Sequence, residues 1–132
     1  MQPAALQRWH EAVKNRCLGE LDALLASDAV FYSPVVYSPQ RGKDLVKLYL
    51  AGALQVLGNE TFRYVREVAQ GNHAVLEFEA RVEGIYVNGV DMLAWDERNQ
   101  IVEIKVMLRP LKAIEVVRQR MAAMLEELQR QR

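Results

Sequence analysis

The sequence predicts an α+β fold in which a curved antiparallel sheet wraps around the N-terminal helices and a long helix ends the chain. Apolar residues recur at steps of three and four as far as residue 57, alternate with a period of two from about residue 61 to residue 109, and return to helical steps from Leu111. Helices and strands that are segregated in this way are typical of α+β architecture. A chain of 132 residues can form one hydrophobic core, so we expect a single domain over residues 1–132.

Three helices and one short strand are predicted for the first half of the chain. The helices cover residues 4–15, 18–25 and 42–57, with Ser27-Asp28 ending the second and Gly58-Asn59 ending the third. The strand covers residues 29–33 and ends at Pro34, because proline has no backbone N–H to donate. Residues 35–41 contain a second proline and are predicted to form a loop.

Four strands and one long helix are predicted for the second half. The strands cover residues 61–69, 74–83, 85–95 and 101–109. In the strand 74–83 apolar residues alternate with mostly charged ones, which indicates a sheet with one buried face. The helix covers about residues 111–130, and its apolar seam packs either on the sheet of its own subunit or on a partner subunit. The seam residues are Ile114, Val117, Met121, Met124 and Leu128.

Charge and cysteine content exclude several classes of function. Lysine plus arginine number 17 and aspartate plus glutamate number 17, so no net charge attracts nucleic acid or an anionic membrane. No segment of the sequence reaches the roughly 18 apolar residues of a membrane span. Cys17 is the single cysteine, which indicates a reducing compartment, and we expect a cytoplasmic protein. The histidines and acidic residues lack the spacing of a metal site, so neither a metal nor another cofactor is expected.

Asp91 is the candidate functional residue with the clearest physical signal. It lies among apolar residues on the predicted strand 85–95. A carboxylate on the buried side of a sheet costs free energy unless it is protonated or paired, so its presence there indicates a pocket. If Asp91 pairs in register with the apolar set of the last strand, it points into a cavity. The alternative is a carboxylate satisfied by a neighbouring Lys105, Arg109, a Tyr or a backbone group, and a slip by one residue would place Asp91 beside Lys105 as an ordinary ion pair. That apolar set comprises Ile104, Val106 and Leu108.

The order of the elements and several short motifs are similar to those of a known superfamily. The motifs are Trp9 on the first helix, Ser33-Pro34 after the first strand, Gly42-Lys43-Asp44 at the third helix, the run 90–101, and Arg109-Pro110-Leu111. Together they resemble the nuclear-transport-factor-two-like superfamily, which includes ketosteroid isomerase and the SnoaL-like polyketide cyclases. The resemblance covers nearly the whole chain and implies a cystatin-like α+β cone with an internal cavity for a small ligand.

The spacing is most similar to that of ketosteroid isomerase, which uses a general-base Asp together with an oxyanion hole formed by a Tyr and a protonated Asp. By this resemblance Asp91 takes the place of the oxyanion-hole Asp, Trp9 that of the Tyr, and Ser33 that of the general base. An indole N–H still donates a hydrogen bond, so the resemblance implies a Trp9–Asp91 pair that holds a ligand oxygen. Ser33 cannot serve as a carboxylate base, so steroid-isomerase chemistry is not implied.

Further side chains are expected around the same cavity. Tyr49 lies on the buried side of the third predicted helix and offers a phenol donor, and Trp9 is either a cavity donor or an ordinary core residue. His10 is adjacent to Trp9, projects at a different angle, and is expected at the surface. The expected ligand-binding residues are Trp9, Ser33, Tyr49, Leu93, Ile104, Val106 and Leu108.

Three classes of function fit these observations. The first is an isomerase, cyclase or hydrolase that acts on a small apolar molecule with Asp91 as the acid–base group. The second is a non-catalytic binding module, which the missing base at Ser33 favours. A second polar group within hydrogen-bond reach of Asp91 would indicate the enzyme, since a binder needs only one polar anchor. The third is a dimerisation domain that pairs two copies through the charged outer face of the sheet, and we expect a homodimer in each case.

Overall fold

The computed structural model describes residues 2–130, and within them four helices accompany a six-stranded sheet. The helices are α1 (Ala4–Asn15), α2 (Leu18–Leu24), α3 (Lys43–Leu57) and α4 (Leu111–Arg130). The strands are β1 (Leu25–Tyr32), β2 (Gln40–Arg41), β3 (Arg63–Gln70), β4 (His73–Val82), β5 (Ile85–Trp95) and β6 (Ile101–Arg109). This succession confirms the predicted α+β architecture and the long C-terminal helix. Over residues 2–130, no helix has both the length and the apolar character that crossing a membrane requires.

The sheet is open and mixed, with the strand order β2-β1-β6-β5-β4-β3. Strands β3 to β6 form an antiparallel series, as predicted, because short turns join each strand to the next. The pair β1–β6 is parallel, so the expectation of a wholly antiparallel sheet was wrong at this one junction. A long stretch of chain separates these two strands, and it leaves their relative direction free of the constraint that a tight hairpin imposes.

The start of β1 differs from the prediction. Ser27 and Asp28 do not end a helix but lie within β1, with exposed side chains. The pairing with β6 shifts register between Leu25 and Val30, as in a β-bulge. Such a bulge leaves extra residues unpaired and bends the strand, so two polar residues are accommodated without interrupting it. The predicted loop 35–41 also ends in the two-residue strand β2, which pairs with β1.

The core lies on one face of the sheet, beneath the helices. Alternate residues of β4 are buried, as predicted, and they are Ala74, Leu76, Phe78, Ala80 and Val82. Helix α4 contacts α3 and strands β4, β5 and β6 of the same subunit. Val117 and Met121 of the predicted seam are buried, together with Ala113 and Val116, whereas Ile114, Met124 and Leu128 are partly exposed.

Two rows of residues across the sheet position the candidate site. Cross-strand pairing places Leu76, Asp91 and Val106 side by side on β4, β5 and β6. The neighbouring row holds Tyr64, Phe78, Gly89 and Leu108 on β3 to β6. A register shift in β3 follows Tyr64 directly, which increases the local twist of this edge strand.

Candidate functional site

Asp91 faces the interior of the protein. It is 8% exposed, and it pairs with Val106 of β6, which is the register that turns its side chain toward the core face. Lys105, the partner in the alternative ion pair, lies instead opposite Met92 and over the ring of Tyr32. The ion-pair interpretation of Asp91 is therefore excluded by the register.

Tyr64 connects Asp91 to Trp9. The Tyr64 hydroxyl donates a hydrogen bond to Asp91 Oδ2 at 2.7 Å, and the same hydroxyl oxygen accepts one from Trp9 Nε1 at 3.0 Å. The resemblance implied that Trp9 and Asp91 together hold a ligand oxygen. In the structure the Trp9 N–H is instead bound to Tyr64, and Trp9 reaches Asp91 only through that hydroxyl. The three side chains come from α1, β3 and β5, so the chain of hydrogen bonds forms only when these elements are packed together.

Burial raises the pKa values of the Asp91 carboxyl group and the Tyr64 hydroxyl group. Removal from water raises the pKa of Asp91 to about 6, although the Tyr64 hydrogen bond and the nearby His10 act in the opposite direction. Burial and the adjacent carboxylate raise the pKa of Tyr64 well above its ordinary value. Tyr64 therefore stays neutral and donates, while Asp91 changes charge near pH 6.

The second carboxyl oxygen of Asp91 is free to meet a ligand. Hydrogen bonds within residues 2–130 engage Oδ2 alone. Among those residues, no fully buried side-chain oxygen or nitrogen lacks a partner, so Oδ1 retains access to open space. Asp91 lines a cavity of about 70 Å³ whose walls are otherwise mostly apolar.

The structure brings five of the predicted site residues to this cavity and leaves three elsewhere. Those at the cavity are Trp9, Ser33, Asp91, Val106 and Leu108. Tyr49 packs against Phe31, with ring centroids 5.8 Å apart. Leu93 and Ile104 pair across β5 and β6 and are buried in the core. They share the face of Asp91, but residues of α1, α2 and β1 fill the space above them, so that part of the face is closed.

Ser33 caps a turn at the cavity wall. Its Oγ accepts hydrogen bonds from the backbone N–H groups of Val35 and Val36 at 3.1 and 3.2 Å. This arrangement holds the start of the loop after β1 against Val106 and Leu108, which line the same cavity. A hydroxyl in this role supplies no carboxylate base.

Tyr64 is the site residue that the sequence analysis missed. Its signal was the alternation of Phe62 and Tyr64 at the start of a strand, which places both rings on one face. The pairing of Tyr64 with Phe78, a buried residue of β4, fixes that face as the inner one. His10 then packs edge-on against the Tyr64 ring at 5.3 Å between centroids, and its Nε2 pairs with Glu67.

The acidic, histidine and cysteine side chains are dispersed through the structure. Over residues 2–130, no three of them come close enough together to hold a metal ion.

Comparison with known families gives a match over most of the chain. The model of the SnoaL-like domain matches residues 6–104. No protein of curated function matches the sequence.

Solved structures with the same fold extend this result. A steroid delta-isomerase from Pseudomonas aeruginosa is 36% identical, with a TM-score of 0.89 over 95% of this chain and 91% of that protein. An uncharacterised bacterial protein with a cystatin-like fold from Silicibacter pomeroyi is 32% identical, with a TM-score of 0.85 over 91% of this chain and 84% of its own. A Shewanella denitrificans protein assigned to the SnoaL-like polyketide cyclases is 17% identical, with a TM-score of 0.66 over 89% of this chain and 98% of its own, and it supports the fold alone.

Proposed function

Since the chain belongs to the SnoaL-like domain family, we propose that it binds a small, mostly apolar molecule in the cavity and transfers a proton with Asp91. The observation that carries the proposal is the buried Asp91 carboxyl, which lines an apolar cavity, keeps Oδ1 outside its hydrogen bond with Tyr64 and has a pKa of about 6. A buried acid with a pKa near the working pH is suited to general acid–base catalysis.

The protonation state of Asp91 decides the direction of transfer. Above pH 6 most molecules hold the carboxylate, and Oδ1 then accepts a proton from a ligand C–H or O–H while Tyr64 stabilises Oδ2. The reverse step returns the proton from Oδ1 to another ligand atom. A proton that leaves and returns in this way shifts a double bond or exchanges a hydrogen beside a carbonyl group, with no oxidant or cofactor required.

Tyr64 favours an enzyme over a simple binding module. A binder needs one polar anchor, whereas here a second polar group lies 2.7 Å from Asp91. Its neighbour Trp9 orients the hydroxyl, so the donor is fixed before a ligand arrives. The alternative of a non-catalytic binding module predicts ligand binding with no proton transfer.

The proposal does not extend to the steroid isomerisation for which the Pseudomonas relative is named. The resemblance places Ser33 where steroid isomerases carry their base, and Ser33 Oγ is occupied with the loop backbone. The cavity, about 70 Å³, is also far smaller than the roughly 300–1,000 Å³ of ordinary ligand pockets. A ligand of more than a few atoms therefore requires the lining side chains to move apart.

Hydrogen exchange into a small ketone tests the proposal. Incubation with 1-indanone in D₂O should exchange the hydrogens beside its carbonyl faster than buffer does, as followed by proton NMR. The rate should rise with pH and level off above about pH 6, where Asp91 is ionised. Asp91→Asn, which keeps the shape of the side chain, should fold and lose the enhancement.

A matched control separates a specific base from general surface catalysis. Glu97→Gln removes an exposed carboxylate in the turn between β5 and β6 and should leave the exchange rate unchanged. Binding without enhanced exchange, seen as a shift of the Trp9 indole signal, would favour the non-catalytic module. The absence of both binding and exchange would contradict the cavity proposal, as would a severely unfolded Asp91→Asn protein.

A homodimer through the outer face of the sheet is a second proposal. On this face Val68, Val75 and Met92 form a row across β3, β4 and β5, and Val90 pairs with Met107 in the next row. Val68 and Met107 are 61% and 51% exposed, which leaves an apolar patch on the surface. Charged side chains of both signs border it, so two copies related by a twofold axis can pair them reciprocally. These are Arg63, Arg66, Glu77, Glu79 and Arg109.

Sedimentation at micromolar concentration tests the dimer. Met107→Lys and Val75→Lys should give monomers, because each places an unpaired charge in the apolar patch. Leu18→Lys, at an exposed position on α2, is the control and should leave the assembly unchanged. A wild-type monomer would exclude the proposal. The cytoplasmic location stays a prediction from the single cysteine.

A further inference from the structure

A second groove adjoins the cavity at the surface between α1 and the start of β3. Val13, Phe62 and Tyr64 line both spaces, with Gly58 beside them. These side chains therefore separate the apolar cavity from the solvent on this side, and a ligand that occupies both spaces requires them to move apart. The groove has a volume of about 430 Å³ and is open to water, so it can hold a part of a ligand that the cavity cannot.

Positive charge dominates this groove, which we call the basic groove. Its lining includes Lys14, Arg16 and Arg63 against one carboxylate, Glu60. Arg63 forms an ion pair with Glu79 at 3.2 Å. Lys14 and Arg16 are exposed, and over residues 2–130 they form no ion pair or hydrogen bond through their side chains. Two cations therefore remain available to a ligand.

The backbone at the end of α1 holds these cations at the groove. Arg16 caps the helix in the left-handed conformation, with φ of 51°. The backbone N–H of Arg16 donates to Val13 O at 3.3 Å, and that of Cys17 donates to Ala12 O at 3.1 Å. The helix dipole favours cations at this end and accounts for Lys14 and Arg16 in part. It does not account for Arg63, which reaches the same groove from β3.

We infer that the ligand combines an apolar body with an anionic group of the carboxylate class, held in the basic groove by Lys14 and Arg16. The inference rests on the proposed cavity function and adds the class of ligand. Charge fixes the orientation of such a molecule. The ionised Asp91 repels an anionic group inside the cavity, whereas the basic groove attracts it, so the apolar body lies toward Asp91 and the anionic group toward solvent.

Matched probes test this inference by calorimetry at low salt. The probes are 4-phenylbutanoate and 4-phenylbutan-1-ol, which share one apolar body and differ in the anionic group. We expect the carboxylate to bind about tenfold more tightly, which corresponds to about 1.4 kcal/mol for two exposed ion pairs together. The preference should shrink at about 0.5 M NaCl, because salt screens exposed charges.

Variants locate the source of the preference. Lys14→Gln combined with Arg16→Gln should remove the preference for the carboxylate and leave the affinity for the alcohol unchanged. Arg98→Gln is the control, because Arg98 is an exposed cation in the turn between β5 and β6, and it should preserve the preference. The Trp9 indole N–H signal reports entry into the cavity in each case, since Trp9 lines it and Trp95 lies elsewhere in the core.

The outcomes separate this inference from the proposal on which it rests. Equal binding of both probes, each with a shifted Trp9 signal, would overturn the anionic ligand and keep the cavity function. A preference that survives in the double variant would also overturn it. Binding of neither probe would contradict the cavity function itself, together with this inference.

Discussion

The hydroxyl of Tyr64 donates a 2.7 Å hydrogen bond to the carboxyl group of Asp91 across an intervening strand. Tyr64 is on β3 and Asp91 is on β5, so the phenol ring extends over β4 to reach the carboxyl group. The ring is held in place by Trp9 at its hydroxyl end and by His10 against its edge. Tyr64 thus gives the buried Asp91 a hydrogen-bond partner whose orientation is fixed.

Tyr64→Phe should destabilise the protein and raise the pKa of Asp91 further. The substitution leaves Trp9 Nε1 and Asp91 Oδ2 without their partner, which costs about 1–3 kcal/mol of the free energy of unfolding. The pKa rises because the hydrogen bond that lowers it is lost. Urea unfolding measures the first effect and an NMR titration of the carboxyl carbon the second. Tyr86→Phe is the control, because the Tyr86 hydroxyl donates to Glu79 at the surface, and it should lower the unfolding free energy much less. Equal losses of unfolding free energy in the two variants would contradict this account.

Trp9→Phe should separate the orientation of the Tyr64 hydroxyl from the direct effect of that hydroxyl on the pKa of Asp91. The variant keeps an aromatic ring in the core, but it removes the N–H that donates to Tyr64 and replaces the indole with a smaller ring. We expect a loss of about 1–3 kcal/mol in unfolding free energy, because the smaller ring leaves a cavity in addition to the lost hydrogen bond, while the Tyr64–Asp91 bond remains. The pKa of Asp91 should move less than in Tyr64→Phe, as the same NMR titration would record. A larger shift than in Tyr64→Phe would show that Trp9 acts on Asp91 by another route.

Asp91 should make the fold less stable as the pH rises from about 4 to 6. Its folded pKa of about 6 is above the ordinary 3.8, so the folded protein binds this proton more tightly than the unfolded chain does. The stabilising effect of that proton is complete below about pH 4 and is lost as the pH rises through 6, by roughly 2–3 kcal/mol. Asp91→Asn removes this trend, so the stability of the variant relative to the wild type should increase over that interval.

Urea unfolding of both proteins at pH values from about 4 to 7 measures the difference. Asp22→Asn provides a control of opposite sign, because hydrogen bonding to Lys47 and the charge of Lys43 lower the pKa of Asp22. The stability that Asp22 contributes is lost only as the pH falls below about 4, so a series extended to lower pH should show the opposite trend there and none between about pH 4 and 7. Parallel pH profiles for wild type and Asp91→Asn would mean that the acid titrates normally.

Gly89→Ala should destabilise the sheet beside Asp91. A Cβ at Gly89 would lie 2.6 Å from Phe78 Cζ, 2.7 Å from Leu108 Cδ2 and 2.7 Å from the Met107 carbonyl oxygen. Overpacking of this kind costs about 1–3 kcal/mol, because the backbone oxygen cannot move aside easily. Thermal and urea unfolding measure the loss. Gly19→Ala, on α2 with only Cys17 Sγ at 3.8 Å, is the same substitution without the clash and should be neutral or stabilising.

Most of the fold could be predicted because periodicity reports which residues are buried. The bounds of α1, β5, β6 and α4 agree with the structure, and the alternation in β4 identified its inner face. The direction of β1 could not be predicted in this way, since periodicity describes one strand and not its partner. Ser27 and Asp28 were predicted to end a helix because pairs of polar residues usually end secondary-structure elements. In the structure a register shift in the pairing with β6 lets both lie within β1 with exposed side chains.

The candidate site was predicted in part, and the reason differs from residue to residue. The inward direction of Asp91 followed from the register opposite Val106. Tyr64 was missed because an edge strand with mostly exposed residues gives a weak pattern. Leu93 and Ile104 share the correct face, but which part of a face remains open depends on the volume that the helices fill, and no strand pattern contains that quantity.

The order in which translation produces the strands has a consequence for the newly made protein. β1 pairs with β6, with Leu25 opposite Ile101 and Phe31 opposite Ile104, and residues 33–100 must be translated after β1 before β6 is made. Until then, only the two-residue β2 can cover one side of β1. We expect nascent chains stalled before residue 101 to bind chaperones and to aggregate, since an uncovered strand edge is a template for other chains.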